Sequence, residues 1–229
     1  METSETTKSS APSFSPLLGP ENESSCILST AYFGPVQWYQ KLNRYRTCHI
    51  ERYDSFIKQT YRNRCIIATA NGPQALTIPV ERPEKKGGKL LERDVRISDH
   101  GNWRHLHWNA LASAYGESPF YEFYADDLRP FFERKWTYLY DFNWEITLKI
   151  CELLDIQPDM QPTEEYIPEG ETQHLDDYRS VIRPKHSLPD DFFTPKDYYQ
   201  VFALKTGFRA NLSILDLLFN EGNEAVMFL

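Results

Sequence analysis

No run of apolar residues in this chain approaches the roughly 18 or more that a membrane span needs, so direct membrane insertion is not expected. Surplus positive charge is also missing. A net charge of −8 and a pI near 5.3 set the chain against nucleic acid and anionic lipid, which repel it at long range, so no nucleic-acid partner is expected and any anion site must be a local pocket. Cysteine is scarce: Cys26, Cys48, Cys65 and Cys151 lie far apart, without CxxC spacing, and read as reduced, buried small hydrophobes. The six histidines offer no ligand pair at i, i+4, so no metal is assigned. GxGxxG, GxxxxGK[ST], HExxH and GxSxG are all absent, which leaves dinucleotide, ATP-loop, zinc-protease and serine-hydrolase readings without their motif, and no cofactor is named. Residues 1–25 are rich in Ser, Thr, Pro and Glu and lack the basic and apolar regions of a signal peptide. They are expected to be a disordered tail on a cytoplasmic protein.

What is present suffices for a core. Of 229 residues 41% are hydrophobic and 14% aromatic, enough for one α/β domain over 26–229. The expected architecture is a mixed β-sheet flanked by helices, with a buried C-terminal helix. Cys26 to Ser29 reads as a strand, Pro35 as the first turn of a helix carrying Val36, Tyr39, Gln40 and Leu42, and Thr47 to Glu51 as a second strand. The Asn71-Gly72 turn between apolar runs signals a hairpin. Lys85 to Lys89 reads as a basic surface loop, and Arg93 to Ser98 as a half-exposed strand. Helical spacing predicts helices over 102–116 and 137–154, the second followed by an irregular Pro-rich stretch with short strands near Glu165–Ile167 and Leu175–Tyr178. Asn211 to Gly222 is expected to form a helix with an Asn cap and a Gly stop, apolar nearly all round.

Four features carry chemistry. A strand through Lys58 to Ile67 would place Arg62 and Arg64 side by side on one face, suited to a carboxylate or phosphate, or else paired with internal acids. His107 lies in the apolar stripe of its helix with Trp103, Leu106, Ala110, Leu111 and Ala114, as a packing residue or a general base. Asp216 is the single charge in the middle of the last helix, and Arg62 or Arg64 is its expected partner. The strand, loop, helix opening would point the amides near Tyr32, Gly34 and Pro35 at a ligand above the strand end. A nucleotidyltransferase would place histidines in that loop, and it has none.

In order along the chain, Ala31-Tyr32-Phe33-Gly34-Pro35, Lys58-Gln59-Thr60-Tyr61-Arg62-Asn63-Arg64, Leu76-Thr77-Ile78-Pro79-Val80, His107-Trp108 with Ser113-Ala114-Tyr115-Gly116, and Leu212 to Gly222 resemble the WbqC-like protein family of bacteria. The resemblance spans Cys26 to Gly222. It implies surface-polysaccharide biosynthesis of the O-antigen type, and for some members a glycine (aminoacyl) transferase role has been suggested. Compared with longer members, the stretch from Gln157 to Pro195 is short. On the transferase reading, acting on an amino sugar or sugar nucleotide, Arg62 and Arg64 would clamp the anion of a sugar nucleotide or acyl donor. His107 would take the amine proton, and Asn63 would donate to the oxyanion. On the alternative reading the chain is a non-catalytic sugar-nucleotide binder or scaffold that meets other glycan-biosynthesis enzymes.

Overall fold

In a computed structural model, residues 24–81, 89–172 and 174–229 are described; the expected tail, apart from its last two residues, and all of the basic loop but Lys89 lie outside them. Strand β1 (Ser25–Ser29) is followed by α1 (Val36–Arg44) and β2 (Thr47–Glu51), as the periodicity predicts. Cys26, Ile27 and Leu28 are fully buried, the signature of a central parallel strand covered on both faces. Next come the hairpin β3 (Arg64–Thr69) and β4 (Gly72–Thr77), then α2 (Trp103–Tyr115), α3 (Tyr121–Leu128), α4 (Pro130–Glu133) and α5 (Leu139–Leu153). Short strands β5 (Asp159–Pro162) and β6 (Leu175–Asp177), then α6 (Ala203–Thr206) and α7 (Ile214–Glu221), complete the chain.

Both expected pairing modes occur, in separate sheets: four parallel strands in the order β5-β2-β1-β6, and the antiparallel hairpin β3-β4. The chain leaves β1 through α1 to reach β2 on one side, and β6 returns to the other side. The β1/β6 junction is therefore a switch point, where the carboxyl ends of neighbouring strands open a crevice. In the hairpin, Thr69 pairs with Gly72, whose φ of 102° suits glycine alone.

Four expectations shift. The strand carrying the arginines begins at Arg64, so Arg62 sits in the turn before it and the two do not share a strand face. Residues 92–94 form a 3₁₀ turn, and Val95 to Ser98 make isolated bridges (Val80 with Ile97, Arg96 with Tyr138) in place of a strand. β5 lies at Asp159–Pro162 and not near Glu165. It adds to the outer edge of β2, where Pro162 is tolerated because an edge strand can spare a donor. Ser213, not Asn211, caps α7: its Oγ accepts from the Leu215 N–H at 3.4 Å. Asn211 instead accepts from the Gln37 N–H in the first turn of α1, at 2.9 Å.

Helix α7 is buried along its length. Ile214, Leu215, Leu217, Leu218 and Phe219 have no exposed surface, a burial on the order of 10 kcal/mol. Among the described residues, no helix is long and apolar enough to cross a membrane.

Candidate ligand site at the ends of the parallel strands

The crevice at the switch point is built from three pieces of chain. Ser29, Thr30 and Ala31 leave the end of β1, Tyr178 and Arg179 leave the end of β6, and the turn Thr60-Tyr61-Arg62 closes over them, with Ile182 and Arg183 at the side. Trp38 packs beneath, its indole N–H donating to the Ser29 carbonyl at 2.9 Å. As it stands the cleft has room for roughly one water molecule, about 10 Å³. Ser29 Oγ is buried there without a hydrogen-bond partner among the described residues.

Two of the three arginines are held by carboxylates. Arg179 is 3% exposed and forks onto Asp177, with Nε to Oδ1 at 3.0 Å and Nη2 to Oδ2 at 2.6 Å. Its Nη1 donates to Glu51 Oε2 at 3.1 Å and to the Ile167 carbonyl at 2.7 Å. Glu51, fully buried at the end of β2, also accepts from the Arg52 and Tyr53 amides and from Thr163 Oγ1. Every lone pair used there fixes the direction of Arg179. Arg62, 2% exposed, donates to Asp54 Oδ2 at 2.9 Å and meets Glu92 Oε1. Glu92 is the surplus acid: burial pushes its carboxyl up to about 8, and nearby Asp54 and Glu51 add to this while Arg62 opposes it. Glu92 Oε2 has no hydrogen-bond partner among the described residues.

Arg183 differs from both. Its Nη2 donates to Ser180 Oγ at 3.0 Å and its Nε to the Arg179 carbonyl at 3.4 Å, and among the described residues no carboxylate pairs with it. Glu169 stands one hydroxyl away, accepting from Ser180 Oγ at 2.6 Å, but a guanidinium whose direct partners are neutral, at the mouth of a crevice, keeps hydrogen-bonding capacity and part of its charge for a ligand.

A sequence model of the WbqC-like protein family matches residues 31–188. The chain belongs to that family. The matched span takes in Glu51, Arg62, Glu92, Arg179 and Arg183 of this WbqC-like chain, but not α7. A relative from Mycobacterium tuberculosis, the uncharacterized protein Rv1507c, is 28% identical over 198 residues, covering 76% of this chain and 83% of its own length. No solved structure matches the chain.

Of the residues singled out in the sequence, Arg62 alone lines the cleft. Tyr32 is fully buried behind it, its backbone N–H donating to the Tyr61 carbonyl at 2.8 Å and its hydroxyl bonded to His107 Nδ1 at 2.9 Å. His107 is 6% exposed, and burial pushes its imidazole down to about 4, with a hydrogen bond to the Thr77 backbone pulling the other way. It is therefore neutral at pH 7. Asn63 is buried and donates to the Ile78 carbonyl at 2.9 Å; Arg64 is half-buried and donates to Thr77 Oγ1 at 2.9 Å. The expected clamp of two adjacent arginines does not form.

Gly34 lies in a closed turn. Its carbonyl accepts from Ile214 N, and a Cβ there would stand 3.0 Å from Ala31 Cβ. The first-turn amides of α1, expected to face a ligand, are already taken: Val36 N donates to the Leu212 carbonyl at 3.0 Å, and Gln37 N to Asn211. Among the described residues Asp216 has no arginine partner, neither Arg62 nor Arg64. It is fully buried and accepts from three neutral donors: Tyr115 Oη at 2.9 Å, Tyr198 Oη at 2.7 Å and Gln200 Nε2 at 2.7 Å. Burial raises its pKa and these three bonds oppose the rise.

Reasoning from sequence missed Arg179, Arg183, Glu51, Asp54 and Glu92. The signals that could have found them are Glu51 closing the alternating strand Thr47 to Glu51, and the run Asp176-Asp177-Tyr178-Arg179 with a second arginine four residues on.

Proposed function

We propose that the β1/β6 cleft binds the phosphate of a sugar nucleotide or a comparably anionic acyl donor, in service of bacterial surface-polysaccharide biosynthesis. The observation that carries this reading is Arg183: a cation without a carboxylate partner among the described residues, at the switch point, beside two arginines whose directions are fixed. Because Arg183 is held by two hydrogen bonds to neutral oxygens, its movement is the natural way to widen so narrow a cleft.

An aminoacyl transferase acting there on an amino sugar needs a base for the attacking amine. His107 supports the non-catalytic reading instead, that of a sugar-nucleotide-binding or scaffold protein in the same pathway. Its imidazole, pushed down to about 4 by burial, is a weak base, and it is closed off from solvent and engaged with Tyr32.

The test is thermal unfolding across nucleotide sugars and acyl-coenzyme A donors, for wild type and Arg183→Ala. A ligand at about a hundred times its dissociation constant adds roughly 2.7 kcal/mol to the native state. One nucleotide class should raise the melting temperature of wild type and leave that of Arg183→Ala nearly unmoved, although the unliganded proteins melt together. Equal shifts in both would remove the cleft from consideration. Where a ligand is found, unchanged turnover in His107→Gln would end the role of that residue as a base.

A further inference from the structure

Among the described residues Asp216 serves neither the cleft nor an ion pair, yet its three partners come from different parts of the molecule. Tyr115 is the last residue of α2, and its hydroxyl also accepts from the Ala68 N–H of β3 at 3.2 Å. Tyr198 and Gln200 belong to the segment that leads into Phe202. One buried carboxylate thus fixes the hairpin, the end of α2 and the 198–202 segment relative to one another. Those same three pieces enclose an open groove of about 430 Å³, lined by Asn71 and Gln74 from the hairpin, Asn109 and Ser113 from α2, and Phe202.

The chemistry of the groove is distinctive for a chain that is 25% charged. Among the described residues no charged side chain lines it; Ala110 and Ala114 form a smooth floor. The side chains of Asn71, Gln74 and Ser113 are exposed and have no protein hydrogen-bond partner among the described residues. Asn109 shares a hydrogen bond between its Nδ2 and His105 Nε2 at 2.9 Å, which leaves its Oδ1 free. The free amide groups and the Ser113 hydroxyl supply both donors and acceptors, and Phe202 supplies an apolar edge. A neutral ring dense in hydroxyls, with C–H faces between them, matches that set; an anion finds no countercharge and loses its hydration.

We propose that this groove is a carbohydrate-binding site for neutral sugar units, and that Asp216 is its positioning residue. The groove lies at the turn end of β3, whereas Arg62 precedes the other end. The six residues of β3 at about 3.3 Å each separate the two by roughly 20 Å. A single sugar in the groove does not reach the cleft, so the site holds a glycan chain at a distance from the reaction or binding centre. That this chain belongs to the pathway of the anionic ligand rests on the function proposed above; the binding itself does not.

Titration of the isotope-labelled protein with methyl glycosides of glucose, galactose and N-acetylglucosamine, followed by amide shifts, tests the site. Glucuronic acid and an N-acetylated dipeptide amide serve as controls. Neutral glycosides should shift residues 69–74, 109–114 and 202 with affinities on the order of millimolar. Gln74→Ala should weaken the binding about fivefold, the loss of one hydrogen bond. Tyr198→Phe, which loosens one wall and removes no lining group, should weaken it while the shifts stay in the same residues. Silence at those residues up to tens of millimolar overturns the proposal. So do shifts that persist unchanged in Gln74→Ala, or a response to the peptide alone. Arg183→Ala should leave glycoside binding intact and Gln74→Ala should leave nucleotide binding intact, so the two readings fail separately.

Discussion

Replacing Glu92 with glutamine isolates the ionisation of a buried carboxyl whose pKa is pushed well above the usual carboxylate range. Behind the cleft four carboxyls (Glu51, Asp54, Glu92, Asp177) face two guanidiniums (Arg62, Arg179). Burial, joined by the charges of Asp54 and Glu51, pushes the Glu92 carboxyl up to about 8 from 4.5, and keeping it protonated cuts the surplus from two negative charges to one. A folded-state pKa raised above the unfolded value gives stability that is complete below the unfolded pKa and is lost as pH rises through the folded one. Between pH 4.5 and 8 the native state holds one proton more than the unfolded chain, so stability falls by about 1.4 kcal/mol per pH unit from this group. Glu92→Gln has nearly the shape of the protonated acid and does not titrate. Denaturant unfolding of both proteins at pH 5, 7 and 9 should show near-equal stability at pH 5 and a gap of about 4 kcal/mol in favour of the variant at pH 9. The difference between the two proteins is the quantity to read, because other groups titrate in both. Parallel stability curves would refute the reasoning and mean that Glu92 is ionised throughout, as a true partner of Arg62.

Asp216→Asn should destabilise the fold by about 2–3 kcal/mol, since an amide presents a donor to one of three buried donors; chemical unfolding measures it, and an unchanged midpoint would free Asp216 from the structural role. Gly222→Ala should cost about 1–3 kcal/mol, because φ is 58° and the new Cβ would meet the Phe120 ring at 2.7 Å; a melting temperature equal to wild type would contradict this. His107→Gln should flatten part of the acid limb of the stability curve. A histidine lowered from 6.5 to about 4 makes the native state shed a proton that the unfolded chain keeps, so wild type loses about 3 kcal/mol between pH 6.5 and 4 that the variant retains.

The opening strand, helix and second strand were legible because the chain states them locally: a buried run in Cys26 to Leu28, Pro35 ahead of helical spacing, and alternation from Thr47. Helices α2, α5 and α7 were legible for the same reason. The register of Arg62 was not, because the strand starts where pairing with Thr77 starts, and only the partner strand decides that. Asn211 and Ser213 are equally good caps two residues apart. The choice falls to tertiary structure, since Asn211 is drawn to the open amide of Gln37. Asp159 to Pro162 has little strand propensity and pairs because β2 offers it an edge. The site was hard to read for a related reason: its charges are contributed by residues 51, 54, 62, 92, 179 and 183, and no local pattern links the partners across such separations.

An acidic chain can bind an anion only where its own carboxylates have been balanced, and here the balance is incomplete by design of the packing. With Glu92 protonated, Arg62 and Arg179 still face three carboxylates, those of Glu51, Asp54 and Asp177, so they supply hydrogen-bond direction without a net positive field, and the attraction falls to Arg183. Ionising Glu92 adds one negative charge behind the cleft. At separations of about 8–15 Å and an effective dielectric of about 20, that charge repels a bound anion by about 1–2 kcal/mol, roughly 5- to 30-fold in affinity. Affinity for an anionic ligand should therefore fall between pH 7 and 9 in wild type, and calorimetric titration should find the fall absent in Glu92→Gln. A decline of equal size in both proteins would place the titrating group on the ligand or elsewhere in the protein, and Glu92 would have no part in setting the charge of the cleft.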